Sequence, residues 1–165
     1  KILEEVSIVG VRNKEGDILT YDLCKNQHEA GILRKTDNIK GSSFLDEAKV
    51  YLERVMKDFD YVGVLTIEFF VKNGDLIFNE MAPRVHNSGH WTIEGTKCSQ
   101  FENHVRAVAG LPLGDTSSVS RCEMLNLIGS LPNRGEVLLA GGFFHDYQKT
   151  PREGRKLGHI THTFA

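Results

Sequence analysis

Residues 62–91 read VGVLTIEFFVKNGDLIFNEMAPRVHNSGHW, and the rest of the chain is best understood as their support. A β-rich run ends at Asn73-Gly74 and a second runs from Asp75 to Met81. Asn-Gly between two apolar runs is the strongest short-range hairpin signal, because both residues tolerate positive φ. Two carboxylates, Glu68 and Glu80, lie on the two arms. Register decides their relation. A two-residue turn sets Glu68 opposite Asn79 and sends Glu80 to the other face. A three-residue loop over residues 73–75 sets Glu68 opposite Glu80, with Cβ atoms roughly 5 Å apart. Like charges that close persist only by sharing a cation or a proton. Hard oxygen ligands without a nearby thiolate suit Mg2+ or Mn2+ rather than zinc. On the first arm, Leu65, Ile67, Phe69 and Val71 form the better core face, which leaves Glu68 with Val64, Thr66 and Phe70 on the ligand side.

Pro83 holds Ala82 extended and ends the second arm. Arg84, His86, Asn87, Ser88 and His90 then crowd one loop, where Gly89 permits a tight turn. So many donors at the end of a buried hairpin point to anion recognition. His86 and His90 are four residues apart, but turn-forming residues separate them and the glutamate of HExxH is missing. That pattern argues against a hydrolytic zinc site.

The run FNEMAPRVHNSGHWT resembles the signature of the 5-(carboxyamino)imidazole ribonucleotide synthase family, ATP-grasp enzymes of purine biosynthesis. The spacing from Glu68 to Glu80 is shared more widely among ATP-grasp carboxylases and ligases; PRVHNSGHW is narrower. The resemblance continues through EVSIVGVR, HEAGILR, SQFENHVRAVAGLPLGD and GRKLGH, and so covers nearly the whole chain. It implies an α+β fold: the C-terminal part of an ATP-grasp module, an antiparallel sheet with packed helices, over residues 1–113. A small, incomplete β-rich C-terminal domain follows over residues 114–165.

The resemblance implies ATP-dependent carboxylation of 5-aminoimidazole ribonucleotide with bicarbonate, giving ADP and phosphate. Glu68 and Glu80 would hold Mg2+ or Mn2+, with Glu5, His28, Asn79 and Glu80 contacting the nucleotide. Arg84, His86, Asn87 and Ser88 would form the carboxyphosphate pocket. Lys149, Arg155 and Lys156 would approach the substrate's phosphate. A cytoplasmic homodimer is implied for the full-length protein, and this chain, lacking the family's upstream lysines and glycine-rich loop, is expected to be inactive alone. The alternatives are another ATP-grasp carboxylase or formyltransferase of purine synthesis, or a non-catalytic substrate-lobe or assembly module.

Composition agrees with a packed protein, since 40% of the 165 residues are hydrophobic and 25% charged. A net charge of −2 argues against a nucleic-acid partner. No apolar run approaches the ~18 residues of a membrane span, and no leader pattern precedes the first strand. Cys24, Cys98 and Cys122 form no metal pattern and read as reduced, structural thiols.

Along the chain, residues 2–12 read as a strand and residues 18–25 as its partner, with His28 in the loop beyond. Residues 43–59 form the clearest helix, capped by Ser43, with Phe44, Ala48, Leu52 and Val55 on one face. A second helix spans residues 97–109, with Phe101, Val105 and Val108 as its apolar positions, and Gly110 closes it. Residues 122–128 and 136–147 read as strands. The basic turn around Gly154 lies beyond the connector, remote in sequence from the hairpin.

Overall fold

The computed structural model describes residues 4–164, so Ile2 and Leu3 of the first strand expected above, and Ala165, lie outside the described residues. β1 (Glu4–Arg12) runs through the sheet interior because its side chains alternate between two buried faces. Val6 and Ile8 enter one core, Val9 and Val11 the other. β2 (Ile18–Thr20) and β3 (Leu23–Glu29) both pair with β1. The single partner expected over residues 18–25 is therefore two strands. The break falls where Tyr21 is buried and donates its hydroxyl to the Cys98 carbonyl at 3.0 Å. His28 belongs to β3 rather than to a loop, and β4 (Ile32–Ile39) returns beside it.

α1 (Leu45–Asp58) packs Ala48, Leu52 and Met56 onto Val6, Ile8, Leu65, Ile67 and Phe69, with Phe44 and Val55 half-buried at the margin. Its first turn is served by Ser42, whose Oγ accepts the Phe44 N–H at 3.3 Å; Ser43 is not the cap. The hairpin arms are β5 (Gly63–Lys72) and β6 (Asp75–Ala82). After a single 3-10 turn at Asn87–Gly89 come α2 (Thr92–Gly95) and α3 (Gln100–Ala109). α3 begins three residues later than read from sequence, because the Ser99 hydroxyl accepts the Glu102 N–H at 3.2 Å. It buries Gln100, Asn103 and Ala107, while Phe101, Val105 and Val108 are 36%, 63% and 52% exposed.

β7 (Arg121–Ile128) pairs with β4, and β9 (Lys156–Phe164) joins β7 to β8 (Phe143–Asp146). The strand expected over residues 136–147 is corrected in its first half. α4 (Arg134–Leu139) forms there, because the Asn133 side-chain Oδ1 accepts the N–H groups of Gly135 and Glu136. The antiparallel sheet is continuous in the order β6-β5-β1-β3-β4-β7-β9-β8, with β2 attached to β1. A second core of Val9, Val11, Tyr21, Val64, Trp91 and Met124 covers the face opposite α1. Trp91 is fully buried there and donates its indole N–H to Cys24 Sγ at 3.0 Å, which lays the loop before it across the face that carries Glu68. All three cysteines are free and buried.

Candidate functional site

Asn73 (φ 56°) and Gly74 (φ 89°) make a two-residue turn that closes Lys72 against Asp75. That register alone would face Glu68 with Asn79. Instead the ladder shifts beside Glu68: Phe69 pairs with Phe78, Glu68 pairs with Glu80, and Asn79 is the extra residue of a bulge. The three-residue loop is absent, yet the facing carboxylates are present by another route.

Glu5, His28, Glu68, Phe70, Asn79 and Glu80 line one cleft of about 390 Å³, with Gly31 at its margin. His28 Nδ1 pairs with Glu5 Oε2 on the neighbouring strand. Glu68 is 8% exposed, and burial raises its carboxyl above the ordinary range. The His28 charge opposes that rise, while Glu80 and Glu5 add to it. Among the described residues Glu68 Oε1 is buried without a hydrogen-bond partner, and His86 Nε2 lies 3.8 Å from it. Two facing carboxylates, one of them buried, are an arrangement that a divalent cation satisfies.

The loop after β6 is clamped at its backbone. Gln100, fully buried, accepts the His86 N–H at 3.0 Å and donates to the His86 carbonyl at 2.7 Å. Gly89 is required by this clamp rather than by a special turn, since a Cβ there would stand 2.5 Å from Gln100 Oε1. Arg84 is exposed and donates one Nη1 bond to the Val85 carbonyl at 3.0 Å. His86 Nδ1 lies 2.9 Å from the hydroxyl of the fully buried Ser88. Burial, aided by the charge of Arg84, pushes the His86 pKa down to about 4, so the ring is neutral at pH 7. His90 turns instead to the His86 carbonyl at 2.9 Å, so the two histidines do not converge as metal ligands.

The basic turn is not remote in space. Lys156 donates to Asn87 Oδ1 in the hairpin loop, and its pKa is pushed down to about 7 by burial, with the Lys149 charge adding. Lys149 and Lys156 each hold Nζ 5.3 Å from the centroid of the Tyr147 ring. Arg155 donates from Nη1 to the Thr150 carbonyl at 3.3 Å.

Several polar residues here were not singled out by sequence. Ser7, Asn26 and Thr36 sit buried in strands beneath the loop; only their polarity within otherwise apolar strands marks them. Glu94, His145 and His159 bring ligand atoms within 4.8 Å of one another. The two rings, however, stack at 4.2 Å with planes 12° apart, so their in-plane lone pairs run nearly parallel and do not meet at one ion. Glu94 Oε1 lies 2.6 Å from His145 Nε2, tying α2 to β8.

Residues 1–101 match the model of the ATP-grasp domain, and residues 122–165 match that of the phosphoribosylaminoimidazole carboxylase C-terminal domain. The chain is 51% identical over 158 residues to the N5-carboxyaminoimidazole ribonucleotide synthase of Pseudomonas aeruginosa, covering 95% of this chain and 44% of that protein. Against the Escherichia coli synthase it is 42% identical over 161 residues, 96% of this chain and 45% of the relative. The crystal structure of the Thermus thermophilus synthetase superposes with a TM-score of 0.96 at 49% identity, over 99% of this chain and 47% of that one. That of the Aspergillus clavatus synthase in complex with ADP and 5-aminoimidazole ribonucleotide gives 0.86 at 29% identity, over 99% and 47%. The chain thus spans less than half the length of these relatives. With a matching model over most of its length and the facing carboxylates in place, the chain belongs to the ATP-grasp family.

Proposed function

We propose that the natural protein carrying this chain carboxylates 5-aminoimidazole ribonucleotide with bicarbonate at the expense of ATP, forming N5-carboxyaminoimidazole ribonucleotide, ADP and phosphate in purine biosynthesis. The observation that carries this reading is Glu68 opposite Glu80 at one end of the cleft, with the loop of Arg84, His86, Asn87 and Ser88 beside it. Glu68 and Glu80 would hold Mg2+ or Mn2+, which when bound neutralises and aligns the phosphates during transfer. Asn79, thrown out by the bulge, contacts nucleotide or metal, and the Glu5–His28 pair contacts the nucleotide. Arg84 offers a planar fork of donors to bicarbonate or carboxyphosphate. His86 and Asn87 complete that pocket, Ser88 through the His86 ring it holds, with no general base required. Lys149, Arg155 and Lys156 take the phosphate of the aminoimidazole substrate.

The same reading divides the chain at residues 113 and 114, within the interval between the two matched stretches. It makes the natural protein a cytoplasmic homodimer without nucleic-acid or membrane partners; no helix among the described residues is long and apolar enough to cross a membrane. Residues 1–165 alone are expected to be inactive. The test is ADP release by the full-length natural protein and by this chain, with either substrate omitted in turn. ADP release from the full-length protein that needs both the aminoimidazole nucleotide and bicarbonate is the expected result. Release independent of either, or equal release by this chain alone, overturns it.

A further inference from the structure

A line of buried hydroxyl and amide groups crosses three strands, β4, β3 and β1, beneath the cleft and ends on His86. Thr36 donates to Asn26 Oδ1 at 3.0 Å, and Asn26 Nδ2 donates to Ser7 Oγ at 2.9 Å. Ser7 donates to Ser88 Oγ at 2.9 Å, and Ser88 Oγ stands 2.9 Å from His86 Nδ1. Ser7, Thr36 and Ser88 are 0% exposed and Asn26 is 5% exposed, so water does not compete for these bonds. The direction of the line is decided by one group that cannot turn over. The Ser88 backbone N–H points at His86 Nδ1 at 3.3 Å, so Nδ1 is an acceptor and the ring proton sits on Nε2. Reversing the Asn26 amide would reverse every bond and set an Nδ1–H against that backbone N–H, donor against donor. Each hydroxyl therefore passes its single proton towards the ring, and the ring presents Nε2–H towards the unpartnered Glu68 Oε1, 3.8 Å away.

We propose that Ser7 is a positioning residue whose hydroxyl, acting through Ser88, holds His86 as the Nε2–H tautomer and directs that N–H at Glu68. The carboxylate then keeps one oxygen turned to the imidazole and the other free for its cation. The value of this arrangement to catalysis rests on Glu68 being a cation ligand, as proposed above; the tautomer itself does not. Nε2 stands 3.8 Å from Oε1, longer than a hydrogen bond, so the N–H acts on Glu68 as an oriented dipole. Loss of such an outer partner of a metal ligand typically lowers affinity by about 10–100-fold. Ser88 is not a nucleophile in this scheme, because it is fully buried and its proton is already committed to the ring.

Two-bond 1H–15N spectra of the full-length natural protein, free of nucleotide and metal, read the tautomer, with His86→Gln identifying the signals. The wild-type spectrum is expected to show an unprotonated Nδ1 and a protonated Nε2. Ser7→Ala should move both signals towards the mixed-tautomer values and raise the half-saturating Mg2+ concentration for ATP turnover about tenfold. Ser7→Thr, which keeps the hydroxyl, should restore both. If Ser7→Ala fails to fold, Ser88→Ala removes the relay nearer the ring and replaces it. An Nδ1–H ring in the wild type, an unmoved spectrum in the alanine variant, or a moved spectrum with unchanged Mg2+ dependence overturns the proposal. Absence of ATP turnover in the wild type counts against the carboxylation reading, while the spectra decide the tautomer without any substrate.

Discussion

Glu68 faces Glu80 because Asn79, one residue nearer the turn, has no partner of its own on β5. The turn and the bulge together count the residues that bring the carboxylates level, and each can be altered separately. Deleting Asn79 leaves the two-residue turn to count directly to Glu80, so the pair should survive and Mn2+ should still bind. Deleting Phe78 together with Asn79 carries Glu80 on to face Phe69, which sends it to the other side of the sheet, and Mn2+ binding, followed by calorimetry, should be lost.

Gly89→Ala drives a methyl group to 2.5 Å from Gln100 Oε1, in an amide already held at both ends by the His86 backbone. The expected cost is about 1–3 kcal/mol, measured by denaturant unfolding. An unchanged midpoint would mean that the clamp yields freely.

Lys156 gives the fold a pH dependence with a definite sign. Burial holds its pKa near 7, below the lysine value of 10.5, so the unfolded chain binds more protons between those limits. Stability from this group is complete above 10.5 and is lost as pH falls through about 7. Lys156→Met should therefore raise the melting temperature near pH 6 and lose that advantage in strong alkali. An equal gain at both would assign the effect to packing.

Arg84→Lys keeps the charge but replaces a planar fork with a point. In the full-length protein the rate at saturating bicarbonate should fall about 100-fold, with the KM for ATP little changed. Full turnover would remove Arg84 from the anion pocket.

Lys149→Ala should raise the KM for the aminoimidazole nucleotide more than that for ATP, the pattern of lost substrate binding. Steady-state kinetics with each substrate varied in turn decide it. An effect confined to ATP would return Lys149 to the solvated surface.

The hairpin, its core face and its acidic pair were readable because alternation and Asn73-Gly74 are local signals. The bulge at Asn79 was not, since an unpaired residue in a strand differs from its neighbours only through the partner strand. α4 reads as strand in sequence because Val137, Leu138 and Leu139 make a short apolar run without helical period, while its start is fixed by the Asn133 cap. On α3 the apolar positions Phe101, Val105 and Val108 stand exposed, whereas Gln100 and Asn103 are inside. Gln100 is buried because the backbone of the His86 loop needs a donor and an acceptor there, a demand set by a segment distant in the fold. The contact between Lys156 and Asn87 spans 69 residues and leaves no local trace.

The bulge has a further consequence, for the protein's dealings with its own copies. Among the described residues β6 is an outer strand of the sheet, with Ile77, Phe78 and Met81 exposed. A straight, apolar border of that kind recruits strands from other molecules into intermolecular sheets. Asn79 breaks the regular spacing of amide groups midway along it and kinks the border locally. The residue that aligns the two carboxylates therefore also guards against self-association, and a variant with a regular border should be more prone to aggregate even where it still binds metal.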